Sequence, residues 1–216
     1  MTRVLPGAGS ASSIAVRAWF GVEAQPVLQD LAELRIAVFR EYPYLYEGEV
    51  AYETQYLANY AQDARAVVVA AYDGARVIGA ATAMPLSAHE PNVRAALVGA
   101  GYLEDAVYYF GESVLLPGYR GRGLGHAFFD QREAAARRFG FATAAFCAVH
   151  RAADHPRRPA GYAPHDAFWR KRGFQQRPEV TCTMEWKDLD DVTPTAKTLT
   201  FWVRDLATDL ASAGAV

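Results

Sequence analysis

Cysteine is almost missing from this chain, with two residues in 216, Cys147 and Cys182. Both sit in apolar, strand-like runs, with neither metal-ligand spacing nor the numbers for a disulfide framework. No metal site is expected, and a reducing, cytoplasmic setting is the default. Long apolar runs are missing as well. Nothing approaches the ~20 residues that a bilayer crossing requires, so no membrane partner is expected. The first residues lack the unbroken apolar block of a secretory signal and read as a flexible leader over 1–11. No internal repeat and no long linker divides the remainder of the chain. With 51% hydrophobic and 21% charged residues, the balance is that of an ordinary globular chain, which excludes disorder and a collagen-like repeat. The length suits one domain with a well-filled core, placed at 12–205, followed by a tail over 206–216.

The formal net charge of −2 conceals an asymmetry. Residues 1–117 hold 7 basic and 13 acidic side chains, residues 118–172 hold 11 and 4, and residues 173–216 hold 4 and 7. An arginine-rich island therefore interrupts an acidic chain. Such an island is more often a solvated helix face than an anion site. The acidic remainder would repel a polyanion and no aromatic–basic interleaving occurs, so nucleic acid is not the expected partner. A smaller phosphorylated ligand fits better.

Periodicity divides the chain into strands and helices. Ile14–Phe20 reads as a first strand. From Pro26, suited to a first helical turn, Val27, Leu31, Leu34 and Val38 recur at helical spacing. Six of the 12 tyrosines follow within 42–60, and Tyr52, Tyr56 and Tyr60 repeat every four residues on one helix face. Two β-rich runs, 66–72 and 76–84, flank Asp73-Gly74 as a hairpin. A helical patch covers 93–98. Residues 107–116 form a buried strand in which Gly111 marks a bulge. A glycine–arginine turn then leads into a helix over 126–139, stopped by Gly140. A strand (142–149), a Pro- and Arg-rich loop, a helix ending at Gly173 and two strands (180–186 and 199–203) complete a mixed α/β domain. The last strand, with Phe201 and Trp202, fits core packing or a homodimer sheet equally well.

The turn Arg120-Gly121-Arg122-Gly123-Leu124-Gly125 lies between a strand and a helix N-terminus. Unpaired N–H groups converge there, the helix dipole favours negative charge, and glycines admit a phosphate against the backbone. A solvated turn, with Gly for geometry and Arg for solubility, is the plain alternative. A P-loop is excluded because no Lys-Ser or Lys-Thr follows the glycines. The dinucleotide fingerprint fails on spacing. The turn does resemble the pyrophosphate loop of the GNAT superfamily of N-acetyltransferases, [Q/R]-x-x-G-x-[G/A], with Arg120, Gly123 and Gly125 at the fixed positions. The strand Ser113-Val114-Leu115-Leu116-Pro117, the helix 166–172 with its Gly173-Phe174 ending, and the element order extend the resemblance to 12–205.

That resemblance implies an α/β GNAT fold: a mixed, mostly antiparallel sheet of about seven strands, flanked by about four helices and splayed between the fourth and fifth strands. It implies acetyl-CoA as co-substrate, with its pyrophosphate on Arg120, Gly121, Arg122, Gly123, Leu124, Gly125 and His126. The backbone of Val114, Leu115 and Leu116 would hold the pantetheine arm, and the arginine island would coincide with this cofactor half. An amine must lose a proton before it attacks the thioester, and the resemblance implies Glu112 as the general base. It is the one ionisable side chain of 107–116 apart from tyrosines. A carboxylate within an apolar strand has a raised pKa, which suits a base. An exposed edge position or an ion pair with an arginine is the alternative reading of Glu112.

The chain departs from the family at Trp169, beside the cofactor, where many members carry a tyrosine acid; an indole N–H cannot serve. Tyr162, Tyr119 and Cys147 are substitutes, or CoA leaves as thiolate. Cys147 as an acyl-accepting nucleophile competes with plain core packing. The acceptor site implied is the stretch 40–60, with Tyr42, Tyr44 and Tyr46 and the carboxylates Glu41, Glu47, Glu49 and Glu53. These suit a small-molecule or peptide amine by charge and cation–π contact. The function implied is acyl-CoA-dependent N-acyl transfer by direct attack in a ternary complex. A different acyl donor and a non-catalytic acyl-CoA sensor are the alternatives.

Overall fold

A computed structural model describes residues 14–207. The leader expected over 1–11 and the tail beyond 207 lie outside the described residues. The elements are β1 (Ile14–Phe20), α1 (Gln25–Phe39), α2 (Val50–Gln62), β2 (Val67–Asp73), β3 (Arg76–Pro85), α3 (Pro91–Gly99), β4 (Val107–Leu115), α4 (Leu124–Arg138), β5 (Thr143–Val149), α5 (Asp166–Lys171), β6 (Gln175–Trp186) and β7 (Thr195–Asp205). The seven strands make one sheet in the order β1-β2-β3-β4-β5-β7-β6. Every pairing is antiparallel except β4 with β5. No helix among the described residues is long and apolar enough to cross a membrane.

Strand β2 reads as an unbroken apolar run because both faces are covered. Val67, Val69 and Ala71 join a layer with Phe128, Phe129 and Phe174, next to α4 and α5. Val68 and Ala70 join the opposite layer with Leu31, Leu34 and Leu57 of α1 and α2. A third cluster packs Val93 and Leu97 of α3 against Val180, Leu199 and Phe201. Each large side chain so buried contributes about 1.5–3 kcal/mol relative to exposure.

Several boundaries differ from expectation. Asp73 pairs with Arg76, so the hairpin loop is Gly74-Ala75, with Gly74 at φ 60 in the left-handed region. Helix α4 starts at Leu124, inside the glycine motif, because the left-handed Gly123 (φ 82) is its N-cap. Strand β6 begins at Gln175 and carries Pro178 through a register break between Arg177 and Thr181. An edge strand tolerates a proline there. Strand β7 is hydrogen-bonded to β5 on one flank and β6 on the other. It has no free edge for a dimer sheet, and its Phe201 and Trp202 are core residues.

Candidate active site

The parallel pairing of β4 with β5 extends only from Val107–Tyr109 to Thr143–Ala145. Beyond it the two strands part, and a cavity of about 2630 Å³ opens between them. Ordinary small-ligand sites measure roughly 300–1,000 Å³, so there is room here for two substrates. Of the expected residues, Glu112, Leu115, Arg120, Gly121, Gly123, Gly125, His126, Trp169, Tyr42, Tyr44 and Tyr46 line this cavity.

The loop before α4 has the features of an anion cradle. Gly121 and Gly123 have φ of 75 and 82, and a Cβ on either would meet nothing within 4 Å, so the dihedral alone demands glycine. No side chain caps α4, and no acidic residue stands in its first turn. Leu124 turns inward and is buried in the layer under the loop. Arg122 folds back, donating to the Gly118 carbonyl at 3.0 Å. Arg120 donates to the Leu115 carbonyl (3.2 Å) and to Glu41 (2.9 Å), tying the loop to the end of α1.

Along β4, alternation decides which backbone faces the groove. The Leu116 N–H is engaged by the Ile78 carbonyl at 3.0 Å, and Val114 pairs with Ala80 in the same phase. Both therefore turn their polar groups to β3. Of the expected pantetheine contacts Val114, Leu115 and Leu116, Leu115 faces the open side. Ser113, which sequence reasoning missed, accompanies it.

The phase is set by a bulge at the expected glycine. Ala81 pairs with Ser113 and Ala83 with Phe110, so Gly111 and Glu112 together oppose Thr82. A Cβ at Gly111 would lie 2.4 Å from Tyr60 Oη and 2.5 Å from Thr82 Oγ1. The extra residue flips the strand: Phe110 packs in the α4 layer and Val114 in the α1–α2 layer, although both are even positions. Arg132 of α4 is fully buried, and its Nη1 donates to the Glu112 and Thr82 carbonyls at 3.3 and 3.4 Å, pinning the bulge. Burial lowers the Arg132 pKa to about 9 against the opposing pull of Glu112.

Glu112 is thereby buried, not at an exposed edge, and its Oε2 accepts from Arg35 Nη1. Arg35 Nε donates to Glu53 Oε2, so one guanidinium serves two carboxylates. Oε1 of Glu112 and Oε1 of Glu53 are both buried with no protein partner. Burial raises the Glu112 carboxyl above its ordinary value, opposed by Arg35 and Thr82 and reinforced by Glu53. Arg35 escaped sequence reasoning, and Glu53, expected as an acceptor-side carboxylate, is instead buried against Arg35. Each is a charge at a core-facing helical position, Arg35 one turn after Leu31 and Glu53 one turn before Leu57.

The part of the cavity expected to take the acceptor is a roofed, aromatic chamber. Tyr44 packs tilted against Phe39 (4.5 Å) and Trp186 (5.9 Å), and Tyr42 meets Tyr162 edge-on at 4.7 Å. Tyr46 bridges to Asp188. Arg151 donates to the Pro43 and Tyr44 carbonyls (2.7 Å each) and to both oxygens of Asp188 (2.7 and 2.9 Å). It thus staples the α1–α2 loop to the β6–β7 loop.

Arg120, Arg132, Arg151, Arg157 and Arg158 of the arginine island line the cavity, and many of the island arginines are engaged by other groups of the protein. Arg132 holds the bulge and Arg151 the roof, while Arg157 pairs with Asp190 and Arg172 with Asp130 and Glu133. Of the candidate acids, Tyr119 donates to Asp73 at 2.6 Å and does not line the cavity, whereas Tyr162 does. Cys147 lines it too, bonded to Tyr109 Oη at 3.0 Å; contact with Cys182 and burial hold its thiol well above the ordinary value. A thiol held protonated is no nucleophile.

A strand-splayed α/β sheet with a glycine loop at the cleft and a buried carboxylate in it defines the acetyltransferase class. Residues 28–174 match the acetyltransferase (GNAT) family model, and the chain belongs to that family. The fold matches the ribosomal-protein-alanine N-acetyltransferase of Brucella melitensis (TM-score 0.58, 15% identity, 88% of this chain and 99% of that one). It also matches yncA of Salmonella typhimurium, solved with its cofactor acetyl-CoA (TM-score 0.54, 15% identity, 90% and 95%). An N-acetyltransferase of Staphylococcus aureus Mu50 aligns with TM-score 0.56 at 15% identity over 90% and 99%. No curated protein matches the sequence significantly.

Proposed function

We propose that this chain transfers an acetyl group from acetyl-CoA to a primary amine by direct attack in a ternary complex. The observation that carries the reading is Glu112, buried on its bulge in the wall of the cavity, with one oxygen unpartnered. The residues present fit the co-substrate. An uncapped helix N-terminus and two left-handed glycines suit a pyrophosphate, and the open flank of Ser113 and Leu115 suits an extended amide-bearing arm. Glu112 takes a proton from the acceptor's ammonium, and the Leu115 N–H polarises the thioester carbonyl. With Trp169 at the usual tyrosine position, CoA leaves as thiolate, which a thiol of pKa ~8.5 permits. The tyrosine-lined chamber favours a cationic acceptor.

Calorimetric titration of acetyl-CoA tests the loop, with micromolar binding expected for wild type and loss in Gly123→Trp. CoA release is then followed with tyramine, spermidine and an alanine-terminated peptide. Binding without release from any amine would favour the sensor reading, for which Trp169 is the motivating departure. A longer acyl donor would appear as tighter binding of its CoA ester. No binding at all would overturn both.

A further inference from the structure

The triad on the α1–α2 side of the bulge has an arithmetic of its own. Two carboxylates, Glu53 and Glu112, share the Arg35 guanidinium, while the other buried guanidinium beside them, Arg132, donates to the Thr82 and Glu112 carbonyls and to Ser113. Arg35 is held from moving toward either side: its Cζ lies 4.6 Å from the Tyr56 ring and 5.0 Å from the Phe39 ring. Both Oε2 atoms face Arg35, and both Oε1 atoms are orphaned. Buried orphan oxygens are costly and native proteins rarely keep them without use.

We propose that Arg35 is the positioning residue of the reaction: it fixes Oε2 of Glu112, turns Oε1 toward the acceptor's nitrogen, and is prevented by Glu53 from fully neutralising that carboxylate. The proton step is simple. One N–H bond of the acceptor's ammonium breaks, one O–H bond forms at Oε1, and the amine keeps the electron pair with which it attacks.

The inference rests on Glu112 acting as base. Other groups around it act as a fixed background. Arg132 approaches from α4, Tyr56 and Tyr60 from α2, Tyr44 and Tyr46 from the α1–α2 loop, Tyr46 beside Glu53, and His89 bears on Arg35 from the connection after β3. Burial raises all four tyrosines, so they stay neutral across the working range.

The test is a carboxyl-carbon NMR titration of glutamate-labelled protein, with the Glu112 resonance assigned by Glu112→Gln, beside pH profiles of CoA release with tyramine. In Glu53→Gln the Glu112 midpoint should fall by about one pH unit, because the competing negative charge is gone. In Arg35→Met it should rise by a similar amount. The acid limb of the rate profile should follow each midpoint. Arg35→Lys keeps the charge but loses the fork, so its limb should move little while kcat drops at least ten-fold. Acetyl-CoA affinity, unchanged in Glu53→Gln and Arg35→Lys, shows that the variants are folded.

Unmoved midpoints, with CoA release still lost in Glu112→Gln, would overturn the positioning role and leave the base intact. Moving midpoints, with Glu112→Gln releasing CoA at the wild-type rate, would overturn the base and the inference together. Absence of CoA release from every amine tested, with acetyl-CoA bound to the wild type, would overturn the reaction and the inference together.

Discussion

Replacing Gly111 by alanine tests whether the bulge is the device that aims Glu112. A Cβ there would stand 2.4 Å from Tyr60 Oη and 2.5 Å from Thr82 Oγ1. The Thr82 hydroxyl is itself the acceptor for the Glu112 N–H at 3.3 Å, so it cannot retreat without loosening the bulge. Overpacking of this kind costs about 1–3 kcal/mol, and two contacts at a buried site put the expectation near 2–3. Urea unfolding of Gly111→Ala at neutral pH should show that loss as a lower midpoint with an unchanged slope. Tyr60→Phe removes the nearer atom. The double variant should therefore recover about 1 kcal/mol, read as a coupling energy in a double-mutant cycle. CoA release should fall more steeply than stability, because a bulge displaced by a few tenths of an ångström moves the carboxylate. A single variant as stable as wild type, with no coupling to Tyr60, would refute the steric argument. Full activity in that variant would refute the aiming argument.

Two further outcomes are expected from buried charge. His89 is buried and stacks 4.3 Å from Tyr109, and burial, aided by Arg35, lowers its pKa from 6.5 to about 4. Its neutral form is the native one, so this stability is complete above pH 6.5 and is lost as pH falls toward 4, about 3 kcal/mol in all. His89→Asn keeps an acceptor for the Glu90 N–H and cannot titrate, so its urea-derived stability should decline less between those values; parallel curves would refute this. Arg151→Met removes four donor contacts and leaves Asp188 with Lys197 Nζ at 3.4 Å, at a cost of about 3 kcal/mol. Calorimetry should find acetyl-CoA binding retained while KM for the amine rises; an unchanged KM would show that the roof does not shape the acceptor chamber.

The elements whose signal is local were readable from sequence. Strand β1, the hairpin, the α4 stripe and the Gly123 turn each depend on neighbours a few residues away. Gly111 was legible as a bulge for the same reason. Its consequence was not, since the reversal of strand phase that puts Val114 and Leu116 toward β3 depends on pairing with β3. Arg35 and Glu53 lie on separate helices, and only the packing of α1 on α2 beneath β4 brings them to Glu112. The partners of the arginine island were not legible, because charge counts do not register them. Asp188 and Asp190, which bind two of its arginines, lie in the acidic segment after it.

The parting of β4 and β5 has a mechanical consequence. Four strands lie on one side of it and three on the other, and three residue pairs are all the backbone ladder that joins them. The sheet is therefore two plates on a short hinge at Val107–Tyr109. Helix α4 lies across the hinge, with Phe128 and Phe129 in the shared layer. The roof closes the far end of the gap: Arg151 reaches Pro43, Tyr44 and Asp188, the Glu47 N–H meets the Lys187 carbonyl at 2.9 Å, and the Leu189 N–H meets the Leu45 carbonyl at 2.8 Å. The gap is thus held at both ends, and catalytic alignment is set by the frame around the cleft.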